Sequence, residues 1–197
     1  ISTIPVALAE LKRRRPLLMI ELVEQTSDHL LDMLENKQLD LVVGRFTNSR
    51  QQQRFDFQPL AEEPFWLVCK RDHTLCGQRD VHPAELTRWP WVLYPFDTPM
   101  RQMLEQLLSQ LHVAPPSNVI ETTSVQTTLH LLRNSETLAL LPEAIARQQV
   151  EQGLLSELST SLATQSLKYG ILTRRHQAPS GNAQELMEIL LQGRAET

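Results

Sequence analysis

The succession of elements between residues 17 and 44 constrains the fold more than any other feature of this sequence. The apolar run LLMIELV at 17–23 predicts a buried strand, and QLDLVVG at 38–44 predicts a second one. Between them, DHLLDMLENK places three leucines on one face of a helix. Parallel strands joined in this way need a right-handed helical crossover that covers the sheet. The sequence therefore predicts an α/β architecture.

The rest of the chain continues the alternation of strands and helices. A helix precedes the first strand, because Pro5 suits a first helical position and Pro16 forbids continuation. The clearest amphipathic helix is PMRQMLEQLLSQLHV, whose apolar residues recur at helical spacing and predict a core face. FDFQPL and FWLVCK predict two short strands without a helix between them. Further strands are predicted for WVLY, SNVIE, TLALL and LKYGILTR, and further helices for SVQTTLHLLRN, PEAIARQQV and NAQELMEILLQ.

Composition and charge narrow the classes of function. The 197 residues, 41% of them hydrophobic, can bury the core of one large domain or two small ones. A net charge of -4 argues against this chain gripping a phosphate backbone by itself. No apolar run approaches the length of a membrane span, and no export signal opens the chain. With only two cysteines, a reducing cytoplasm is the expected compartment, and the first residue, Ile rather than Met, indicates a fragment.

Motifs for nucleotide, metal or covalent chemistry are not recognisable in the sequence. It contains no G-x-S-x-G, no P-loop and no G-x-G-x-x-G, and no histidine stands beside a plausible nucleophile. Cys69, His73, Cys76 and His82 are residue types that suit zinc, but their order matches no common finger spacing, so a buried cysteine and an ordinary loop are favoured. We therefore expect no enzyme and no cofactor, and favour ligand binding between two folding units.

A dense cluster of hydroxyl and amide side chains occupies ETTSVQTT at 121–128. One interpretation is the solvated start of a helix, which needs only one hydroxyl as a cap. The other is the lining of a small-molecule site, because the first turn of a helix offers free backbone N–H groups and a positive dipole end to an anion. The two roles can coexist.

Three blocks of the sequence resemble the LysR-type transcriptional regulators. They are ETLALLPEAIARQQVEQGLLSEL, PVALAELKRRRPLLMIELVEQTSDHLLDMLENKQLDLVVGRF, and FDFQPLAEEPFWLVCKRDHTLCGQRDVHPAELTRWPWVLY. The chain departs from the family where His73-Thr74-Leu75 replaces His-Pro-Leu and where Leu138 replaces a glycine. The blocks span nearly the whole chain in the family's order.

The resemblance implies a fold of two Rossmann-like subdomains joined by two crossover strands, like the type II periplasmic binding proteins. Subdomain I would be 1–70 plus 168–197 and subdomain II 71–167, with the crossings near Lys70 and Leu167. The family's N-terminal winged helix-turn-helix DNA-binding domain is absent from this chain, and so is the first strand of the effector domain, which should precede Ile4.

The resemblance also implies a function and a site. A small metabolite would bind in the cleft between the subdomains, and the domain would form a homodimer or homotetramer, reaching promoter DNA through the missing N-terminal domain. Arg45 or Arg101 in the cleft would favour a carboxylate, which guanidinium meets in a bidentate fork. The alternative is a solute-binding protein of a transporter with the same cleft. The implied effector contacts are Ser2, Thr3, Arg45, Phe46, Thr98, Arg101, Thr123, Ser124 and Gln126.

Overall fold

The computed structural model describes residues 3–163 and 166–193, and the chain divides into two compact units. Unit 1 comprises Ile1–Glu62 and Lys168–Thr197, and unit 2 comprises Glu63–Leu167.

Unit 1 places helices on both faces of its strands. Its helices are α1 (Thr3–Arg14), α2 (Ser27–Glu35) and α7 (Gly181–Gln192), and a 3-10 helix spans Ser49–Gln53. Strand β1 (Val42–Gly44) pairs antiparallel with β7 (Ser166–Arg174), which also neighbours β2 (Phe55–Lys70). On β7, Ile171 packs with α1 and α7, whereas its neighbour Leu172 packs with α2. The alternation of a strand thus produces two apolar faces, each covered by helices.

The basic run after Leu11 forms the end of α1. Lys12, Arg13 and Arg14 occupy the last turn, where cations complement the negative end of the helix dipole. Glu10 accepts hydrogen bonds from Arg13 and Arg14, and these contacts lower the pKa of its carboxyl to about 2.

The strand predicted at 17–23 is wrong. These residues form no strand, and Leu17, Met19 and Leu22 are exposed by 100%, 93% and 57%. A strand is stabilised by pairing, and no backbone hydrogen bond joins residues 19–23 to another described residue. The predicted parallel pair of strands consequently does not form in the described part of unit 1, where β1 is only three residues long.

Unit 2 is built around parallel strands linked by helices. Strand β3 (Trp91–Leu93) lies between β4 (Val119–Glu121) and β5 (Leu138–Pro142) and is parallel to both. Strand β2 pairs antiparallel with β5 and also with β6 (Leu155–Glu157). The connecting helices are α3 (Pro83–Leu86), α4 (Pro99–Gln110), α5 (Val125–Asn134) and α6 (Glu143–Glu151), and a 3-10 helix spans Ser161–Ala163.

The two faces of the unit 2 sheet carry separate apolar clusters. Alternate residues of β2 divide between them: Phe65 and Leu67 join one cluster, and Val68 joins the other. Helix α4 covers the first face with the amphipathic stripe that the sequence predicts, whereas α5 and α6 cover the second. The expectation that the leucine-rich face of α4 is core is confirmed by buried Leu104 and Leu108.

The two short strands predicted from FDFQPL and FWLVCK are wrong, because β2 runs through both as one strand. Strand β7 approaches β2 closely at Gly170. A Cβ on Gly170 would lie 2.3 Å from the Gln58 carbonyl oxygen. Only glycine allows two backbones to come this close. Helix α6 differs in a smaller way, since Pro142 is its N-cap rather than its first residue.

Candidate functional site

Unit 2 brings two of the predicted effector segments to one edge of its sheet. Because β3 and β4 are parallel, with Leu93 opposite Glu121, their carboxyl ends meet at the same edge. Helix α4 begins after β3 and α5 begins after β4, so the N-termini of both helices follow these strand ends. In open α/β sheets, ligands bind beyond this edge.

Arg101, in the first turn of α4, links these two segments. Its Nε lies 2.7 Å from a carboxylate oxygen of Glu105, and its Nη1 lies 3.2 Å from one of Glu121, at the end of β4. Nη1 also donates to the carbonyl of Tyr94 at 3.5 Å. The side chain is only 10% exposed. Any anion that binds Arg101 therefore has to compete with carboxylates that already neutralise it.

Thr98 lies at the N-cap of α4 but does not cap it with its side chain. Its hydroxyl instead donates to the carbonyl of Pro95 at 2.7 Å, and the residue is buried. The side chain thereby fixes the turn between β3 and α4. The backbone N–H groups of the first turn of α4 are then left without a side-chain cap.

Two hydroxyl groups of the polar cluster form hydrogen bonds with the backbone at the start of α5. The Oγ of Ser124 accepts from the backbone N–H of Thr127 at 3.2 Å, so the capping interpretation is confirmed. Thr128 donates back to the Ser124 carbonyl at 3.0 Å, as buried helical threonines often do. Thr123 and Gln126 are exposed. Ser124 and Thr128 therefore stabilise the helix, whereas the side chains of Thr123 and Gln126 are accessible to solvent.

Arg45 and Phe46 lie on the loop after β1, and both are half-buried. The ring of Phe46 contacts that of Phe57, with centroids 5.3 Å apart, and joins the apolar cluster beneath α2. Phe46 thus anchors the loop to the core of unit 1.

A hydrogen-bond network that the sequence did not predict holds the same loop. Asp28, in the first turn of α2, accepts from the hydroxyl of Thr47 and from Nε2 of Gln51 at 2.7 Å. Gln51 in turn accepts from the backbone N–H of Thr47 at 2.8 Å, and Asn48 and Gln51 form a capping box. The N-x-x-Q spacing in NSRQ could have revealed this turn, whereas the contact with Asp28 could not be read from sequence.

Thr3 is the first described residue of α1. Its hydroxyl oxygen is buried and has no hydrogen-bond partner within residues 3–163 and 166–193. The next residue, Ile4, packs against the same apolar cluster as Val43 of β1. Ser2 lies outside the described residues.

A cavity of about 450 Å³ lies elsewhere in unit 1. We call it the N-terminal groove: it is bounded by residues 18–23 and 38–43 and by apolar side chains of α1 and α7, among them Leu8 and Leu186. None of the predicted effector contacts that the structure describes lines it. The groove is therefore distinct from the predicted site.

The four cysteine and histidine residues considered for zinc have other contacts. Nδ1 of His73 accepts from the backbone N–H of Leu75 at 3.1 Å, which leaves the proton on Nε2 facing Glu136. His82 caps α3 by accepting from the backbone N–H of Ala84. Across the described ranges, no group of three or more potential metal-binding side chains is arranged to hold an ion.

The chain matches a known protein family over almost its whole length. The model of the LysR substrate binding domain matches residues 2–195. The chain belongs to this family. Among curated proteins, this LysR substrate binding domain is similar to the HTH-type transcriptional regulator GbpR of Azospirillum brasilense, at 28% identity over 138 residues. The match covers 70% of the chain but only 40% of GbpR, so the chain corresponds to only part of that relative.

Solved structures resemble the LysR substrate binding domain over almost its whole length. The effector binding domain of QuiR in complex with shikimate has a TM-score of 0.80 at 11% identity, covering 98% of this chain and 91% of that one. The BenM effector binding domain with its effector benzoate has a TM-score of 0.71 at 22% identity, covering 98% and 86%. These likenesses confirm the predicted α/β, type II periplasmic-binding-like fold.

The family and its curated relatives are regulators of transcription rather than enzymes, as the sequence predicts. Every helix of this LysR substrate binding domain that the structure describes falls short of the length and apolar character that a bilayer crossing requires.

Proposed function

We propose that this chain is the effector-sensing part of a LysR-type DNA-binding transcriptional regulator, working in the cytoplasm, and that its effector is a small organic carboxylate. The family match across residues 2–195 carries this proposal. The effector would occupy the cleft that the resemblance implies, with contacts from both units. Two similar domains, those of QuiR and BenM, were solved with the carboxylates shikimate and benzoate, which supports this ligand class.

The chemistry of the unit 2 edge suits a carboxylate. The first turn of α4 has no side-chain cap, and Thr123 and Gln126 are exposed at the start of α5. Backbone N–H groups at a helix start, together with the positive end of the dipole, attract anions. Arg101 adds a cation at the same edge, and this cation is already paired with the carboxylates of Glu105 and Glu121.

Unit 1 would contribute Arg45, Phe46 and Thr3. The network around Asp28 fixes the loop that carries Arg45 and Phe46, and fixed side chains lose little entropy when a ligand binds. Thr3 offers a buried hydroxyl without a partner among the described residues, and such a group is satisfied when a ligand supplies one.

Isothermal titration calorimetry with matched ligands tests this proposal. Benzoate and shikimate should bind, whereas benzamide and the methyl ester of shikimate should bind at least tenfold more weakly, because charge-assisted hydrogen bonds contribute about 1.5–3 kcal/mol. Preferential binding of neutral or cationic compounds across a wider metabolite panel would contradict the carboxylate assignment.

Two single substitutions separate a ligand contact from a change in overall charge. Arg45→Gln should weaken carboxylate binding by about tenfold or more, since a charge-assisted hydrogen bond is lost. Arg50→Gln makes the same charge change at an exposed residue of the same region and should leave binding unchanged. Equal affinities of the two variants would exclude Arg45 as a contact.

We further propose that the domain self-associates as a homodimer and reaches promoter DNA through a separate N-terminal domain of the full-length protein. Support comes from the curated relative, an HTH-type regulator. Sedimentation at micromolar concentration should detect a species of twice the 22.6 kDa chain mass. A single 22.6 kDa species would contradict the dimer.

The N-terminal groove has a proposed occupant too, namely the strand that the resemblance places before Ile4. Residues 18–23, Val42 and Val43 of β1, and Ile4 of α1 line the groove, and among the described residues no strand pairs with 18–23 and β1 pairs only with β7. A longer chain that includes the preceding residues should slow amide exchange at 18–23, while exchange in α5 stays the same. Unchanged exchange at 18–23 would reject this occupant.

A further inference from the structure

Two thiols meet in unit 2 at the end of β2. Cys69 is in the strand and Cys76 is on the turn that follows it, and their Sγ atoms are 3.5 Å apart. Both cysteines are free. A disulfide bond needs an S–S distance near 2.05 Å, so the sulfurs have to approach by about 1.5 Å.

The turn that carries Cys76 is held against β2 by its own backbone. The N–H of His73 donates to the Lys70 carbonyl, and the N–H of Cys76 donates to the His73 carbonyl at 2.8 Å. Directly after Cys76, Gly77 adopts a φ of 80°, which glycine reaches without a steric cost. The turn therefore keeps the two thiols adjacent rather than bringing them together by chance.

The contacts of the two sulfurs are weak and replaceable. Cys76 Sγ donates to the Lys70 carbonyl at 3.4 Å, and Cys69 Sγ donates to the Ser156 carbonyl at 3.8 Å. The Lys70 carbonyl also accepts from the His73 N–H, so it keeps a partner when the thiol hydrogen is lost. Thiols are poor donors, and little stabilisation is lost when these two bonds break.

The two cysteines differ in access. Cys69 is fully buried, and burial raises the pKa of its thiol, so its thiolate is scarce in the folded protein. Cys76 is half-buried. A thiolate is the reactive form of cysteine, and an oxidant in solution reaches the more accessible sulfur first.

We propose that Cys69 and Cys76 form a reversible oxidation site that closes an intrachain disulfide when the protein meets a hydroperoxide. The Cys76 thiolate attacks one peroxide oxygen, becomes a sulfenic acid and releases the other oxygen as an alcohol or water after protonation. The Cys69 sulfur then attacks the Cys76 sulfur, and the sulfenic hydroxyl leaves with the Cys69 thiol proton as water. Two thiols are oxidised and one peroxide is reduced; a small thiol reverses the reaction by exchange.

The sequence itself supplies a direct assay for this bond. Lys70 and Arg71 stand between the two cysteines, so trypsin separates them into peptides 55–70 and 72–79. After treatment of the folded chain with hydrogen peroxide and alkylation of remaining thiols, the two peptides should be recovered linked. Dithiothreitol should separate them. Recovery of both peptides alkylated, with the fold intact by circular dichroism, would overturn the proposal, as would linkage only between chains.

Single serine variants test the order of attack. Cys69→Ser should retain a sulfenic acid at Cys76 that dimedone traps, because the second thiol is missing. Cys76→Ser should give at least tenfold less dimedone adduct at Cys69 over the same time, since that sulfur is buried. Equal or faster labelling of Cys69 would overturn the assignment of Cys76 as the attacking sulfur. Serine is close in size to cysteine, and circular dichroism of each variant checks that the fold is kept.

Discussion

Glu121 offers a direct test of whether Arg101 contacts the effector. If a carboxylate effector binds Arg101, it competes with Glu121, whose oxygen is 3.2 Å from Nη1. Glu121→Gln removes that competing charge, while Glu105 remains on Nε and keeps the guanidinium in place. We expect the variant to bind carboxylates more tightly than the unmodified chain.

The structure limits the size of this gain. The arginine side chain is 10% exposed and that of Glu121 is 50% exposed, so the pair resembles a surface ion pair more than a buried one. Such pairs contribute about 0.2–1 kcal/mol. With tenfold in affinity for each 1.4 kcal/mol, the expected gain is up to about fivefold. Raising the salt concentration should reduce the gain, because an exposed pair is screened.

Calorimetric titration with benzoate or shikimate measures the effect. The matched control is Glu35→Gln, which removes a carboxylate paired with Arg54 in unit 1, at the end of α2. The control makes the same change in net charge and should leave the affinity unchanged. Equal affinities of the two variants would refute Arg101 as an effector contact, and both Arg45 and the helix starts would remain to be tested.

Substitutions at three further positions have definite expected outcomes. Gly170→Ala should lower the free energy of unfolding by about 1–3 kcal/mol in urea denaturation, because its Cβ would meet a carbonyl of β2 at 2.3 Å; unchanged stability would reject this close contact. Ser124→Ala should cost about 1 kcal/mol through loss of the cap, whereas Ser124→Asp should keep the stability but weaken carboxylate binding by repulsion. If Ser124→Asp binds normally, the start of α5 is not an anion site. The carboxyl of Glu10 has a pKa lowered from its usual 4.5 to about 2. Its contribution to the free energy of unfolding is therefore fully present above pH 4.5 and is lost as the pH falls toward 2. The difference in free energy of unfolding between the chain and Glu10→Gln should vanish over that pH window.

Several features of the fold could be predicted because they depend on neighbours in sequence. The apolar spacing of α4 gives a helix with a core face, and buried Leu104 and Leu108 confirm it. The Ser124 cap is also local, since it joins a side chain to a backbone N–H three residues later. Helical hydrogen bonds and caps form within one short segment, so a single segment carries the information.

Strands were less predictable for the opposite reason. Residues 17–23 have the apolar composition of a strand but have no partner strand in the described part of the chain, and Met19 is exposed. The two predicted strands around Pro64 are one strand, because β5, β6 and β7 supply partners along its length. A strand takes its hydrogen bonds from other segments, which its own residues do not specify.

The amino-acid sequence alone was enough to predict the family, the α/β pattern, the main helices and the segments where a ligand contact is expected. The contacts of those side chains could be read only from the folded structure. Arg101 shares its charge with a glutamate twenty residues away, and the loop of Arg45 is held through an aspartate on α2. The thiols of Cys69 and Cys76 meet because a turn folds back on β2. Side-chain partners come from elements brought together by folding, and no local pattern encodes their distance.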